Sequence, residues 1–159
     1  MTDTEKIPLL KDEYLFLEKA YEDYDARLMT IKGWGATVAI AAIGLGFYQN
    51  SYLWLFAAGA SVVFWYLESI WKVYQNNYAT RIKTLECAFR ENQFSKIAPF
   101  QIYNSWWESD QKVRKETKQL TFLRTMWNPN IFFPHVVTAF VSVGLFVLEW
   151  LGVLHIPRH

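Results

Sequence analysis

The chain has a single cysteine, Cys87, among its 159 residues. One thiol excludes a disulfide within the chain and a metal site built from several cysteines. The sequence also lacks common catalytic motifs: it has no Walker A loop, no GxSxG, no HExxH and no CxxC. The histidines are His135, His155 and His159, which are too scattered to predict a metal centre. We therefore expect a non-enzymatic protein with no cofactor and no bound metal ion.

Charge is also missing over long stretches. Met1–Lys32 carries five Lys/Arg and eight Asp/Glu, whereas no charged residue occurs in Gly33–Leu67. Lys72–Arg124 carries ten Lys/Arg and five acids, after which only Glu149 and Arg158 follow. A charge at the centre of a bilayer is energetically expensive, so this segregation is typical of membrane proteins.

Three apolar runs are candidates for membrane-spanning helices. Gly33–Tyr48 and Tyr52–Trp71 are joined by a polar turn at 49–51 and predict a helical hairpin. The third run is Ile131–Leu154. The polar, acidic segment before the first run lacks the pattern of a signal peptide, so we expect insertion to depend on the spans themselves. The predicted fold class is an all-α membrane protein with three transmembrane helices and a cytoplasmic helical bundle.

Basic residues near the span ends predict the orientation. Lys and Arg precede spans 1 and 3 and follow span 2, whereas the turn at 49–51 has none. This pattern places the N-terminus and the central segment in the cytoplasm and the C-terminus on the opposite side of the membrane. The predicted segments are a cytoplasmic heptad helix at 1–32, a transmembrane hairpin at 33–71, cytoplasmic helices at 72–130, and a third span with a short outer tail at 131–159.

The N-terminal segment has a heptad pattern. Apolar and aromatic residues recur at alternating spacings of 4 and 3 over three repeats, which is typical of a coiled coil. Pro8 suits the first turn of this helix, and Glu13 is expected on its solvated face. The seam pairs either between subunits or within the chain's own bundle. Its residues are Leu10, Tyr14, Leu17, Tyr21, Tyr24, Leu28 and Ile31.

The positions of glycine, proline and capping residues predict the cytoplasmic helices. No Gly or Pro occurs in Ser61–Ala98, so span 2 is predicted to continue as one helix past Phe89. Ser105 and Glu108 have capping-box spacing and predict a helix start at Ser105. This helix would bundle within the chain, pair with another subunit, or lie in the headgroup layer. It would carry residues at seven-residue intervals: Trp106, Val113, Leu120 and Trp127.

A few polar and small residues inside the spans are candidates for function or assembly. Glu68 is expected to pair with Lys72 or Lys32, and a charged ring at a pore mouth is the alternative. Glu149 is expected to reach the outer interface rather than serve a proton relay, and His135 lies just inside the cytoplasmic end of span 3. Small residues suit close helix packing, within the hairpin or between subunits. They are Gly35, Ala39, Ala42 and Gly46.

The segment EYLFLEKAYEDYDARLMTIKGWGATVAIAAIGLGF, with FWYLESIWK after the turn, resembles a group of small bacterial membrane proteins. Their architecture is similar to that of SLATT-type effectors associated with nucleotide-signalling conflict systems. The likeness covers roughly residues 13–90 and rests on the order of elements, with no diagnostic motif, so no functional residue carries over. The resemblance implies that the protein disrupts the membrane or forms a pore in antiphage defence when it receives a signal.

These features together predict a self-associating inner-membrane protein, a homo-oligomer in the lipid bilayer. Its cytoplasmic part would dock a protein partner or sense a small signalling ligand, and nucleic acid is not an expected partner. The alternative is an accessory subunit that anchors a cytoplasmic partner to the membrane. A lipid-modifying enzyme is a third possibility, disfavoured because the spans lack clustered acids and histidines.

Overall fold

The structure is a computed structural model that describes residues 2–116 and 118–154, without the side chains of residues 113–121. Every regular element within these residues is a helix, which confirms the predicted all-α class. The helices are α1 (Asp3–Tyr48), α2 (Tyr52–Glu91), α3 (Ile102–Glu116), α4 (Lys118–Met126) and α5 (Pro129–Trp150). By length and composition, α1, α2 and α5 are able to cross a membrane.

Helix α1 begins earlier than the sequence pattern suggested. Asp3 and Glu5 lie in its first turn, where negative charge is favourable, and the Thr2 amide donates to Glu5 Oε2 at 2.8 Å. Pro8 therefore lies inside the helix, and its predicted place in the first turn is wrong. The helix is continuous through Gly33 and Gly35 to Tyr48.

Helix α2 runs without interruption from the turn to Glu91, and its continuation past Phe89 confirms the prediction from the absence of Gly and Pro in Ser61–Ala98. Its end is marked by Asn92, whose φ of 54° is in the left-handed region that asparagine tolerates. The Gln93 amide then donates to the Ala88 carbonyl at 3.1 Å, which satisfies one of the last carbonyls of the helix.

The predicted capping box at Ser105 is wrong. Helix α3 begins at Ile102, so Ser105 is already helical and its amide donates to Gln101 O at 2.9 Å. Glu108 accepts from Asn104 Nδ2 at 2.9 Å, an i to i+4 contact on the helix surface, instead of reaching back to a cap. Two positions of the predicted stripe, Val113 and Leu120, lie outside the described side chains.

Helix α5 has a clear start and stop. Asn128 is its N-cap and accepts from the Asn130 amide at 3.1 Å, with Pro129 as the first helical residue. The helix ends at Trp150, earlier than the predicted span end at Leu154. Gly152 adopts a φ of 72°, and its amide and that of Val153 donate to the carbonyls of Glu149 and Leu148. This is a Schellman motif, which closes the helix.

The chain divides into two compact units. The charged unit comprises Met1–Arg27 and Trp71–Phe122, and the apolar unit comprises Leu28–Ile70 and Leu123–His159. In the charged unit, the N-terminal half of α1 packs on the C-terminal half of α2. The fully buried residues of this core are Leu10, Leu17 and Leu85, joined by Ala88 and Phe94. Tyr24 adds ring contacts of 5.5 Å to Trp71 and to Tyr78.

In the apolar unit, parts of α1, α2 and α5 pack side by side. At one end the rings of Phe47 and Trp54 are 5.1 Å apart, and those of Tyr52 and Phe146 are 5.8 Å apart. At the other end Lys32 Nζ donates to Asn130 O at 3.0 Å. Within this unit α1 and α5 therefore run in the same direction and α2 runs in the opposite one.

Two glycines of α1 allow the hairpin to close. A Cβ at Gly46 would collide with the indole of Trp54, which is fully buried and donates from Nε1 to Ile43 O at 3.0 Å. A Cβ at Gly35 would lie 3.1 Å from Cγ of Phe64. The absence of a side chain at these positions lets the bulky rings of α2 seat against the α1 backbone.

Candidate functional site: a buried acid–base cluster

Three ionisable side chains meet inside the apolar unit, and we call Lys32, Glu68 and His135 the acid–base cluster. Lys32 Nζ lies 3.0 Å from Glu68 Oε1, and His135 Nε2 lies 3.0 Å from Glu68 Oε2. The side chains of Glu68 and His135 are 2% and 8% exposed, whereas that of Lys32 is 32% exposed. Each oxygen of a buried carboxylate thus has its own basic partner.

The cluster forms where the buried faces of α2 and α5 pack together and the charged half of α1 ends. On α2, Ser61 and Glu68 are seven residues apart and both buried, so they lie on one face. On α5, the residues His135 and Ser142 have the same spacing and burial. Lys32 is the last charge of α1 before its apolar half. Glu68 needs these partners, because an unpaired charge in such surroundings is strongly destabilising.

Pro134 leaves a backbone carbonyl free to accept a hydrogen bond from the cluster. In a regular helix the Asn130 carbonyl would accept from the amide of residue 134, but proline has no N–H. Lys32 Nζ donates to this free carbonyl at 3.0 Å, in addition to its contact with Glu68. The lysine therefore joins α1 both to α2 and to the first turn of α5.

Further hydrogen bonds hold α2 against the start of α5. Ser61 Oγ donates to the His135 carbonyl at 3.0 Å. Trp65 Nε1 donates to the Met126 carbonyl at 2.8 Å, and its ring meets that of Trp127 edge-on at 5.6 Å. Met126 is the last residue of α4, so these bonds join α2 to the chain on both sides of the start of α5.

The structure selects one of the two predicted partners of Glu68. Lys32 contacts it, whereas Lys72 lies in the charged unit and contacts Asp25 at 3.3 Å and Gln75 at 2.7 Å. The contact with His135 was missed by the sequence analysis. The sequence held one indication of this contact: the predicted spans place Glu68 and His135 at a similar depth in the membrane, near the cytoplasmic ends of spans 2 and 3.

The three side chains of the cluster belong to types that can exchange protons. A carboxylate between an amine and an imidazole can hold or pass a proton, and none of the three is a typical acyl- or phosphoryl-transfer nucleophile in this setting. Within the described residues no group of three or more His, Cys, Asp and Glu is placed to hold a metal ion. His155 and His159 lie outside the described residues.

Glu149, the other predicted acid of the spans, lies away from the cluster. It borders a surface depression of about 270 Å³ together with Ser51, Tyr52 and Phe146. The ring contact between Tyr52 and Phe146 marks the opposite end of the apolar unit from Lys32 and His135. Glu149 is half-buried there and takes part in a further interaction.

The predicted packing residues face the interior of the chain to different degrees. Gly35, Ala39, Ala42 and Gly46 are buried within the apolar unit. Leu10, Leu17 and Leu28 of the heptad seam are buried, and the remaining seam residues are half-buried: Tyr14, Tyr21, Tyr24 and Ile31. Their side chains are therefore largely occupied by contacts within one copy. Whether they also serve assembly stays a prediction.

The charged unit contains a second buried ion pair, formed by Glu13 and Arg81. Arg81 donates from Nε to Glu13 Oε1 at 2.9 Å and from Nη2 to Oε2 at 3.1 Å and to Ala98 O at 2.8 Å. The Phe100 amide donates to Glu13 Oε2 at 2.8 Å. The predicted solvated position of Glu13 is wrong. Its spacing of three from Leu10 and four from Leu17 places it on the buried face.

Two tyrosines of the charged unit have a raised pKa, so their hydroxyls lose the proton at a higher pH than an ordinary tyrosine does. Burial raises the pKa of Tyr24, with a smaller contribution from the neighbouring Tyr78. Burial also raises the pKa of Tyr14, and the nearby carboxylates of Glu18 and Glu86 add to this effect. Both phenols are thus kept protonated, and the Tyr14 hydroxyl donates to Glu86 Oε1 at 3.4 Å.

Comparison with known proteins assigns no family. No family model, no curated protein and no solved structure matches the chain. The similarity to SLATT-type effectors therefore stays a prediction.

Proposed function

We propose that this protein is a non-enzymatic, self-associating protein of the bacterial inner membrane. In this proposal α1, α2 and α5 cross the bilayer, and the charged unit lies in the cytoplasm as a sensing or docking part. The concrete form is a defence or stress effector that perturbs the membrane when its cytoplasmic part is engaged. The effector role follows from the resemblance described above.

The observation that carries the proposal is the uncovered apolar surface of the three long helices. Only 22%, 33% and 17% of the residues in the apolar windows of α1, α2 and α5 are buried within the chain. Ile40 and Phe140 are 72% and 79% exposed. Apolar surface of this extent is rare on proteins in water and supports contact with lipid or with further copies of the chain.

The pairing of polar groups supports a structural role for the spans. Glu68 is paired with Lys32 and His135, and Ser61 with the His135 carbonyl. Thr37 and Thr138 each donate to the carbonyl four residues earlier in their own helix. These side chains are already committed to contacts within one copy. A pore in an oligomer would then be lined by outward-facing residues, and a charged ring of Glu68 residues is disfavoured.

Particle mass in lipid nanodiscs tests self-association. We expect particles that contain more than one copy, measured by mass photometry at several protein concentrations. A single copy per particle at every concentration would show that the self-association part is wrong. The effector form additionally predicts loss of membrane potential after induced expression, read with a potential-sensitive dye. Cells that express an unrelated three-span protein at the same level are the control.

An accessory anchor is the second candidate, and an exposed aromatic face on the charged unit favours it. Tyr103 and Trp107 stack with their ring centroids 6.4 Å apart while remaining 75% and 46% exposed. Phe100 is 64% exposed on a backbone with a φ of 62°. Exposed aromatic residues are enriched in protein interfaces.

Co-purification from native membranes distinguishes the two candidates. The anchor hypothesis predicts a stoichiometric partner that is lost when Tyr103 and Trp107 are both changed to serine. Tyr48→Ser, which alters an equally exposed tyrosine of the apolar unit, should leave that partner bound. The same yield of partner from all variants would contradict docking on the aromatic face.

A further inference from the structure

The acid–base cluster places one carboxylate between two basic side chains whose charge responds differently to pH. The charged or titratable side chains in contact here come from all three helices: Lys32 on α1, Glu68 on α2 and His135 on α5. Lysine carries its charge throughout the physiological pH range, whereas histidine is the side chain that ordinarily gains and loses its charge between about pH 5 and 8.

The geometry lets His135 change its charge without moving. Nε2 lies 3.0 Å from Glu68 Oε2, so the neutral tautomer with a proton on Nε2 donates to the carboxylate. A second proton on Nδ1 would leave the bond from Nε2 to Glu68 in place. The imidazole would then be a cation in direct contact with the carboxylate.

Lys32 is the partner with access to solvent. Its side chain is 32% exposed, whereas His135 is 8% exposed and fixed within α5. When His135 is neutral, Lys32 is the cation that balances the buried carboxylate. When His135 is charged, the carboxylate is balanced without Lys32, and a third charge next to the pair is no longer required.

We propose that His135 is a proton-binding site, and that proton uptake there lets His135 replace Lys32 as the counter-ion of Glu68. The exchange changes which helices the charges join. In the neutral state Lys32 ties α1 to Glu68 on α2 and to the Asn130 carbonyl that Pro134 leaves free. In the protonated state the ion pair joins α2 to α5 directly. The protein therefore contains a proton-dependent link between its three long helices, independent of whether it self-associates.

A pH-dependent double-mutant cycle tests the exchange. The purified full chain in detergent is melted at about pH 8 and about pH 5.5 as wild type, Lys32→Met, His135→Gln and the double variant. We expect Lys32→Met to lower the melting midpoint by roughly 6–12 °C at the higher pH, since it leaves a buried carboxylate without a cation. At the lower pH the loss should be less than half as large. In the His135→Gln background the loss should change less with pH than in the wild-type background, because only protonation of Glu68 itself then relieves the buried charge.

The control is Lys72→Met, which removes a partly exposed ion pair with Asp25 in the charged unit. It also removes the 2.7 Å hydrogen bond to Gln75, and its effect should not depend on His135. An equal loss for Lys32→Met at both pH values would overturn the proposal, as would a loss that changes with pH as strongly in His135→Gln as in the wild-type background. If the His135 variants fail to fold, ¹⁵N NMR of the His135 ring decides the matter. Its protonation should begin at higher pH in Lys32→Met than in wild type, and unchanged titration would overturn the proposal.

Discussion

Glu13 and Glu68 are buried carboxylates, and each is held by partners on other segments of the chain. Glu13 receives two hydrogen bonds from Arg81 and one from the Phe100 amide, whereas Glu68 is held by Lys32 and His135. Burying a charge is compensated only when its partners have good geometry. The two carboxylates are therefore the positions where a single substitution should be felt most strongly.

Arg81 provides a test of this view in the charged unit. Its side chain is 8% exposed and that of Glu13 is 0% exposed, so Arg81→Met leaves a buried carboxylate without its cation. We expect a loss of stability of about 3–5 kcal/mol. The loss is measured by chemical denaturation in detergent, followed by the fluorescence of the tryptophans.

Arg90 is the matched control for Arg81. Its pair with Glu91 at 3.4 Å is open to solvent, with side chains 73% and 50% exposed. Exposed pairs contribute about 0–1 kcal/mol, so Arg90→Met should leave the unfolding curve almost unchanged. Similar losses for the two methionine variants would show that burial of the Glu13 pair has little energetic consequence.

At the scale of helices, the sequence predicted what depends on local composition. The absence of Gly and Pro after Ser61 predicted the continuation of α2, and the segregation of charge predicted three long apolar helices. The predicted start at Ser105 was wrong because the capping box was judged from two residues, whereas the helix already begins at Ile102. The third span was predicted too long because the turn at Gly152 has an apolar composition.

The contacts of the candidate site were harder to predict for a physical reason. Glu68 and His135 are 67 residues apart in the chain, and no local pattern fixes which α5 residue faces α2. Their similar predicted depth in the membrane reduced the number of possible partners for Glu68 but did not identify His135. Glu13 was placed in solvent because acidic residues are rarely buried, although its helical spacing from Leu10 and Leu17 puts it on the inner face.

The hairpin of α1 and α2 gives a prediction at the same scale. Gly46→Leu should destabilise the apolar unit by about 1–3 kcal/mol or more, because its side chain would displace the buried Trp54 indole. Gly44→Leu, two residues earlier in the same helix, has open space at its Cβ and is the control. The two variants are compared by thermal melting in detergent. Equal melting midpoints would show that the contact between Gly46 and Trp54 does not hold the hairpin.

At the scale of the whole molecule, the proposed topology places the charged unit in the cytoplasm and the turn at 49–51 outside. Cys87 is exposed on the charged unit and is the chain's single cysteine, so it reports the location of that unit without any mutation. We expect a membrane-impermeant maleimide to leave Cys87 unmodified in intact spheroplasts and to modify it in inside-out vesicles. Mass spectrometry of the purified chain measures the modified fraction.

The opposite side of the membrane is tested with Asn50→Cys in a Cys87→Ser background. Asn50 is exposed in the turn between α1 and α2, so the new thiol should react in spheroplasts and be protected in inside-out vesicles. The two cysteines must show opposite accessibility, because α2 has to carry the chain across the bilayer between them. Reaction of both from the same side would mean that α2 does not cross the membrane, despite its length and composition. The reverse pattern would keep the three spans but place the charged unit outside, and the positive charges flanking the spans would then not set the orientation.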